Sequence, residues 1–204
     1  MNITLRSLPL FAALALSSYA VSGCATSRQG AVDAVDESEQ ALDESECPAG
    51  VPATLVPAAD QTLKAIATGV GAQIYVCNGV GAWRFVAPQA NLLNEDGVLL
   101  GTHFIGPTWQ ANDGSSVVGA KQAGATVDPT AVPWLLLTVV SHNGVSGWFS
   151  NVTSIQRLST VGGLAPSTVC DAAHAGTIAQ VPYSAEYIFY KAKAQGAVKR
   201  CGAN

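Results

Sequence analysis

The stretch Ala72-Gln73-Ile74-Tyr75-Val76-Cys77, followed by Asn78-Gly79, decides the fold class. Ile74 and Val76 fall on one side of an extended chain, with Gln73, Tyr75 and Cys77 on the other. That is the two-residue period of a strand, and Asn-Gly tolerates the positive φ of a tight hairpin. The same punctuation recurs at Asp96-Gly97, Asp113-Gly114 and Asn143-Gly144. Between and around these turns lie runs that read as strands: Thr62 to Ala67, Ala72 to Cys77, Ala82 to Ala87, Val98 to Phe104, Ser116 to Ala120, Trp134 to Val140, Val145 to Ser150, Val152 to Leu158 and Ala185 to Tyr190. The run Trp134 to Val140 does not alternate, so it reads as a central strand covered on both faces.

No stretch of roughly a dozen residues between 51 and 190 carries a helical stripe. The longest strand-free segment, Gly162 to Pro182, is broken by Gly and Pro, leaving room for one short helix near Asp171 to Ala175. The expectation is an all-β domain: a single antiparallel β-sandwich of about nine or ten short strands, with a closed β-barrel as the alternative, because strand count does not separate the two.

The chain has 204 residues, 49% hydrophobic and 12% charged, with a net charge of -4. Those values exclude a coiled coil, a disordered chain and a basic nucleic-acid binder, so no nucleic-acid partner is expected. Arg6 followed by the apolar run Leu8 to Ala20 has the make-up of a secretory signal peptide and is too short for a permanent transmembrane helix. Val21-Ser22-Gly23-Cys24 resembles the bacterial lipobox, which implies cleavage before Cys24 and acylation of that cysteine; an ordinary signal peptide leaving a thiol at Cys24 is the alternative. Ala25, with no Asp at that position, resembles lipoproteins sent to the outer membrane. The expected localisation is therefore exported and lipid-anchored in the bacterial cell envelope.

Residues 24–50 hold seven of the fourteen acidic residues (Asp33, Asp36, Glu37, Glu39, Asp43, Glu44 and Glu46) against a single base, Arg28. This reads as an acidic, flexible tether that leaves the body of the protein nearly neutral. The expected organisation is a lipoprotein signal peptide at 1–23, the tether at 24–50, a β domain at 51–190 and a basic tail at 191–204. In the tail, Lys191, Lys193, Lys199 and Arg200 serve solubility or, in a sharper reading, touch anionic headgroups.

Setting Cys24 aside from the five cysteines leaves Cys47, Cys77, Cys170 and Cys201, an even number in an exported chain. Two disulfides are the economical reading. Three connectivities remain open; Cys77 with Cys170 and Cys47 with Cys201 is preferred because the termini of compact domains tend to lie close together. A metal-thiolate site is the rival, but the chain has no CxxC pair.

Polar groups and turn formers crowd into two places. One is His103-Phe104-Ile105-Gly106-Pro107-Thr108-Trp109, leading to Asp113-Gly114; the other is Thr160 to Pro166, leading to Cys170-Asp171-Ala172-Ala173-His174. His103, His174, Asp113 and Asp171 have the chemistry of a divalent metal site or an acid–base pair, with Asp171 and His174 at i and i+3 on one face of a helical turn. The structural account of the same residues is that Asp171 caps the turn, His174 satisfies a loop carbonyl and Gly106-Pro107 seats Trp109. Gln156-Arg157 invites a similar choice. A planar cation in a charge-poor domain needs a carboxylate, here Asp171 or Asp113, or it recognises an anion in a cleft. Trp83, Trp109, Trp134 and Trp148 either line a sugar-binding groove or pack in a β core. GxSxG is absent, and Gly79-Val80-Gly81 fails GxGxxG at its last glycine, so neither a serine nucleophile nor a dinucleotide is expected, and no cofactor at all.

Gln73-Ile74-Tyr75-Val76-Cys77, Gly106-Pro107-Thr108-Trp109, Val132-Pro133-Trp134-Leu135-Leu136-Leu137, Ile155-Gln156-Arg157 and Cys170-Asp171-Ala172-Ala173-His174 together resemble the domain-of-unknown-function family 3455 of exported bacterial and fungal proteins, over about Val51 to Tyr190. The resemblance implies a pairing of Cys77 with Cys170, since both fall in signature pieces, and it carries no function. The functional expectation is a lipid-anchored envelope protein with a disulfide-braced β domain. Its candidate ligand residues are His103, Trp109, Asp113, Gln156, Arg157, Asp171 and His174, and its expected partners are the membrane and a small molecule or glycan. A non-catalytic binding or structural module is preferred. The alternatives are a metal-assisted enzyme built on His103, Asp171 and His174, and a carbohydrate-binding module.

Overall fold

The structure, a computed structural model, describes residues 50–194. The signal peptide, the tether through residue 49, Cys24, Cys47, Cys201 and the end of the basic tail lie outside the described residues. Eight strands follow one another: β1 (Gln61–Cys77), β2 (Trp83–Leu93), β3 (Leu99–Phe104), β4 (Thr108–Ala111), β5 (Ser116–Ala125), β6 (Trp134–Asn143), β7 (Val152–Gly162) and β8 (Ile178–Ala192). Two 3-10 turns, Ala53–Leu55 and Ala172–His174, complete the regular structure among the described residues. The second occupies the position expected for a short helix.

Each strand pairs antiparallel with the next, and β8 pairs back onto β1, so the sheet closes on itself as a barrel. The all-β, antiparallel class is as expected. The architecture is the closed-barrel alternative rather than two packed sheets, and the strands number eight rather than nine or ten. Two runs expected to be separate, Thr62 to Ala67 and Ala72 to Cys77, form one 17-residue strand that passes through Gly69 and Gly71. That length lets β1 pair with β8 over most of its course and with β2 over its second half. Closure gives each strand a neighbour on both sides over part of its length, so the sheet has no edge strand. The expected strand Val145 to Ser150 is instead a loop; Gly106-Pro107 lies in a turn, as expected, and leads into Thr108–Ala111, a strand not read from sequence, which is β4.

Register defines two faces. Ala67, Tyr187, Arg157 and Leu135 sit side by side on β1, β8, β7 and β6, as do Phe189, Ile155 and Leu137 on the last three. Most of these side chains join Trp109, Phe149, Leu92 and Val117 in the core inside the ring. Ile66, Ile188, Gln156 and Leu136 form the adjacent row on the opposite face. An open face would be wet, yet this one is dry where the 3-10 turn Ala53–Leu55 lies over it: Leu55 is fully buried against Leu136, Leu158, Ile188 and Tyr190. Gln156 clasps this strap, its Nε2 donating to the Leu55 carbonyl at 2.6 Å while its Oε1 accepts from the Tyr190 hydroxyl at 2.6 Å. Trp134 to Leu137 is thus covered on both faces, as read from its pattern, whereas Val140 further along is exposed.

Glycines make room for the largest inner rings. A Cβ on Gly69 would lie 2.5 Å from the Tyr187 ring, and one on Gly119 would lie 3.0 Å from the Trp109 indole. At the far end of β1, the Cys77–Cys170 disulfide, with 5.4 Å between Cα atoms, ties the strand to the connection between β7 and β8.

Candidate ligand cavity

One end of the ring is incompletely filled. A cavity of about 380 Å³ opens there, within the size range of small-molecule sites. Its walls are mainly apolar: Pro88, Pro107, Leu135, Leu137 and the faces of Trp109 and Tyr187, with Phe85 and Val86 half exposed at the rim. The polar residues that line it are Gln73, His103, Lys121 and Arg157.

Two buried donors in this lining lack a full partner. Gln73 is 2% exposed and Trp109 is 1% exposed; Trp109 Nε1 makes no hydrogen bond, and Gln73 Nε2 makes none at full hydrogen-bond distance, reaching only loosely toward the Tyr183 hydroxyl, whose pKa it lowers slightly against the effect of burial. A buried N–H left unpaired costs on the order of 1–3 kcal/mol, so such groups call for an explanation. Here both belong to one cavity.

His103 and Trp109 are neighbours across β3 and β4. The imidazole stacks on the indole with 4.3 Å between centroids, and Tyr187 meets it edge-on at 5.1 Å. Burial pushes the His103 pKa down to about 3, and the nearby Arg157 charge pushes the same way, against the opposing pull of the Thr108 carbonyl. The ring is therefore neutral at ordinary pH. Its Nδ1 lies 2.8 Å from that carbonyl, which only accepts, so the proton sits on Nδ1.

Arg157 is the charge of this cavity. Its Nε and Nη2 both donate to the Pro133 carbonyl, at 3.2 and 2.7 Å, which fixes the guanidinium plane. The expected ion pair with Asp171 or Asp113 does not form: among the described residues no carboxylate lies within ion-pair reach of Arg157. Each acid is already engaged. Asp113 accepts from Ser115 Oγ and N and from Trp148 N, at 2.6, 2.9 and 2.7 Å, and these bonds hold its pKa below the usual carboxylate range. It pins the loop after β6 to the β4–β5 turn. Asp171 caps the Ala172–His174 turn through the backbone N–H groups of Ala173 and His174 and meets His174 Nδ1 at 2.5 Å. That contact, foremost, lowers its pKa.

The expected candidates thus divide. His103, Trp109 and Arg157 converge on the cavity, while Asp113, Gln156, Asp171 and His174 serve turns, the strap and the cap. The trio His103, Asp171 and His174 is not assembled, since the first lies inside the barrel and the others are exposed; among the described residues no three metal-ligating side chains gather. Trp109 is buried, and the other three tryptophans are half-buried. Trp83 donates to the Thr168 carbonyl, Trp134 packs under the strap and Trp148 stacks edge-on against Phe149 and Phe189, so each indole has a packing role.

Gln73, Tyr187 and Leu135 were not among the candidate ligand residues read from sequence. Gln73 carried a signal, a polar side chain in an otherwise apolar alternating run, but only ring closure tells which side of β1 faces inward.

A family model described as a protein of unknown function, DUF3455, matches residues 57–191. No match was found among curated proteins or among solved structures.

Proposed function

Since the chain belongs to the DUF3455 family, whose description assigns no activity, we propose from its own geometry that it is an exported, lipid-anchored binding module that holds a small, largely apolar molecule inside its barrel. The observation that carries the reading is the pair of buried donors without a full partner, Gln73 Nε2 and Trp109 Nε1, in one apolar cavity. A packed core that served stability alone would fill this space or pair these groups. A site that receives a ligand keeps both the space and the donors.

Export is supported by the run Leu8 to Ala20 and by a disulfide, a bond that persists in oxidising compartments. The lipobox-like Val21-Ser22-Gly23-Cys24 supplies the anchor, since acyl chains hold a protein on a membrane without a transmembrane helix. A non-catalytic role fits the neutral His103 and the absence of a nearby carboxylate to work with it.

The test of the cavity uses N-phenyl-1-naphthylamine, a neutral probe that fluoresces in apolar sites. It should bind the full chain at one site, and Lys121→Trp, at an exposed lining position beside Leu137 on the inner face of β5, should abolish binding without lowering thermal stability. Absence of saturable binding would remove the reading. The anchor is tested by the mass of the mature chain, expected to begin at an acylated Cys24.

A further inference from the structure

Resting on that binding reading, we propose that the cavity selects an apolar monocarboxylate, whose oxygens are received by Arg157, Gln73 and Trp109. The N–H groups that lack a full partner here are those of Gln73 and Trp109, and the Arg157 guanidinium, which also reaches the Tyr187 hydroxyl, adds the positive charge. The complement of such a set is an acceptor with more than one oxygen. No Asp or Glu lines the cavity, so the Arg157 charge is balanced by nothing in its walls. An amine would meet that charge unfavourably, and an alcohol would leave donors dry and unpaired.

The guanidinium is already oriented by its two bonds to one carbonyl, so its remaining edge meets a carboxylate with little further ordering. One uncompensated cation in the interior, with Lys121 only at the solvent edge, suits a single negative charge better than a doubly charged phosphate. Around that point the walls are hydrocarbon and aromatic, which sets the rest of the ligand as apolar. His103 is a wall of this site and not a ligand group: its proton is committed to Thr108.

The experiment displaces N-phenyl-1-naphthylamine from the full chain at about pH 7 with decanoate, decanol and decylamine, which share one tail. Decanoate should bind about tenfold or more tighter than decanol, with decylamine weakest, and Arg157→Gln should bring decanoate down to the decanol level while the neutral probe still binds. Arg157 also steadies Pro133, so Gln73→Leu provides a second variant; it should weaken decanoate severalfold and leave decanol unchanged. If the probe binds but decanoate and decanol compete equally, or decylamine wins, the carboxylate assignment is wrong and the binding reading survives. If the probe itself does not bind, both fall.

Discussion

The imidazole of His103 lies nearly parallel to the indole of Trp109, 14° between planes and 4.3 Å between centroids, with its only hydrogen bond running to the Thr108 carbonyl. A ring held this way is fully desolvated on behalf of the cavity wall, and the consequence is a titration displaced far from the normal range.

Acid should therefore unfold this protein in a way that depends on His103. Its folded pKa of about 3 lies below the ordinary imidazole value of 6.5, so the unfolded chain takes up the proton first. The stability it contributes is complete above about pH 6.5 and is lost progressively as pH falls toward 3. By about pH 4 the loss is on the order of 3 kcal/mol. Guanidinium melts at several pH values should show this slope, and His103→Phe, which keeps the stack, should flatten it. Asp113, Asp128 and Asp171, whose pKa values are also held low, add an acid loss common to both chains, so the difference between them isolates the histidine.

The Cys77–Cys170 bridge spans 93 residues of sequence, enclosing most of the barrel. In the chain-entropy account such a loop contributes about 4–5 kcal/mol. Replacing both cysteines with Ala should lower stability by roughly that amount in denaturant melts. A change below about 1 kcal/mol would mean that the unfolded chain is already constrained by other means.

Gly69→Ala places a methyl group 2.5 Å from Tyr187 Cε2, and the ring has little room to retreat because its hydroxyl bonds Tyr183 at 2.6 Å and its edge faces His103. Overpacking of this kind costs about 1–3 kcal/mol. The same displacement narrows the cavity, so the variant should also bind the neutral probe more weakly; a stability loss with unchanged probe binding would show that Tyr187 moves away from the cavity.

Local signals made the strands and turns legible in the sequence. The four Asn-Gly and Asp-Gly dipeptides all fall at strand connections, and Gly79 and Gly144 take the positive φ, 76° and 80°, that such turns require. What was not legible is what depends on closure. Gly69 and Gly71 read as a break between two strands because glycine weakens a strand in isolation; they are tolerated inside β1 because Tyr187 and the Ala90 backbone occupy the space where side chains would stand. The cavity likewise draws Gln73, His103, Trp109, Arg157 and Tyr187 from five different strands. Their sequence spacing carries no trace of that meeting, whereas the Asp171–His174 pair was visible from its i, i+3 spacing and proved to be a turn cap.

The strap offers the last test, because it decides whether the outer face of β6, β7 and β8 is part of the folding unit. Leu55 is completely buried, yet it belongs to a three-residue turn whose own backbone bonds are few. Its hold on the barrel must come from the apolar contacts with Leu136, Leu158, Ile188 and Tyr190 and from the Gln156 clasp. Leu55→Ala removes the first and should cost about 2–5 kcal/mol, as buried leucines do. Gln156→Leu removes the second and leaves the buried Leu55 carbonyl and the Tyr190 hydroxyl unpaired, a penalty of about 1–3 kcal/mol for each group left dry. Because both act on one element, the double variant should lose less than the sum of the singles. Amide exchange should locate the loss: in each variant the N–H of Leu55, bonded to Pro52, should exchange at nearly the free rate while inner strand amides stay protected. If the inner strands lose protection together with the strap, the two form one cooperative unit, and the outer cluster is as integral to the barrel as its lumen.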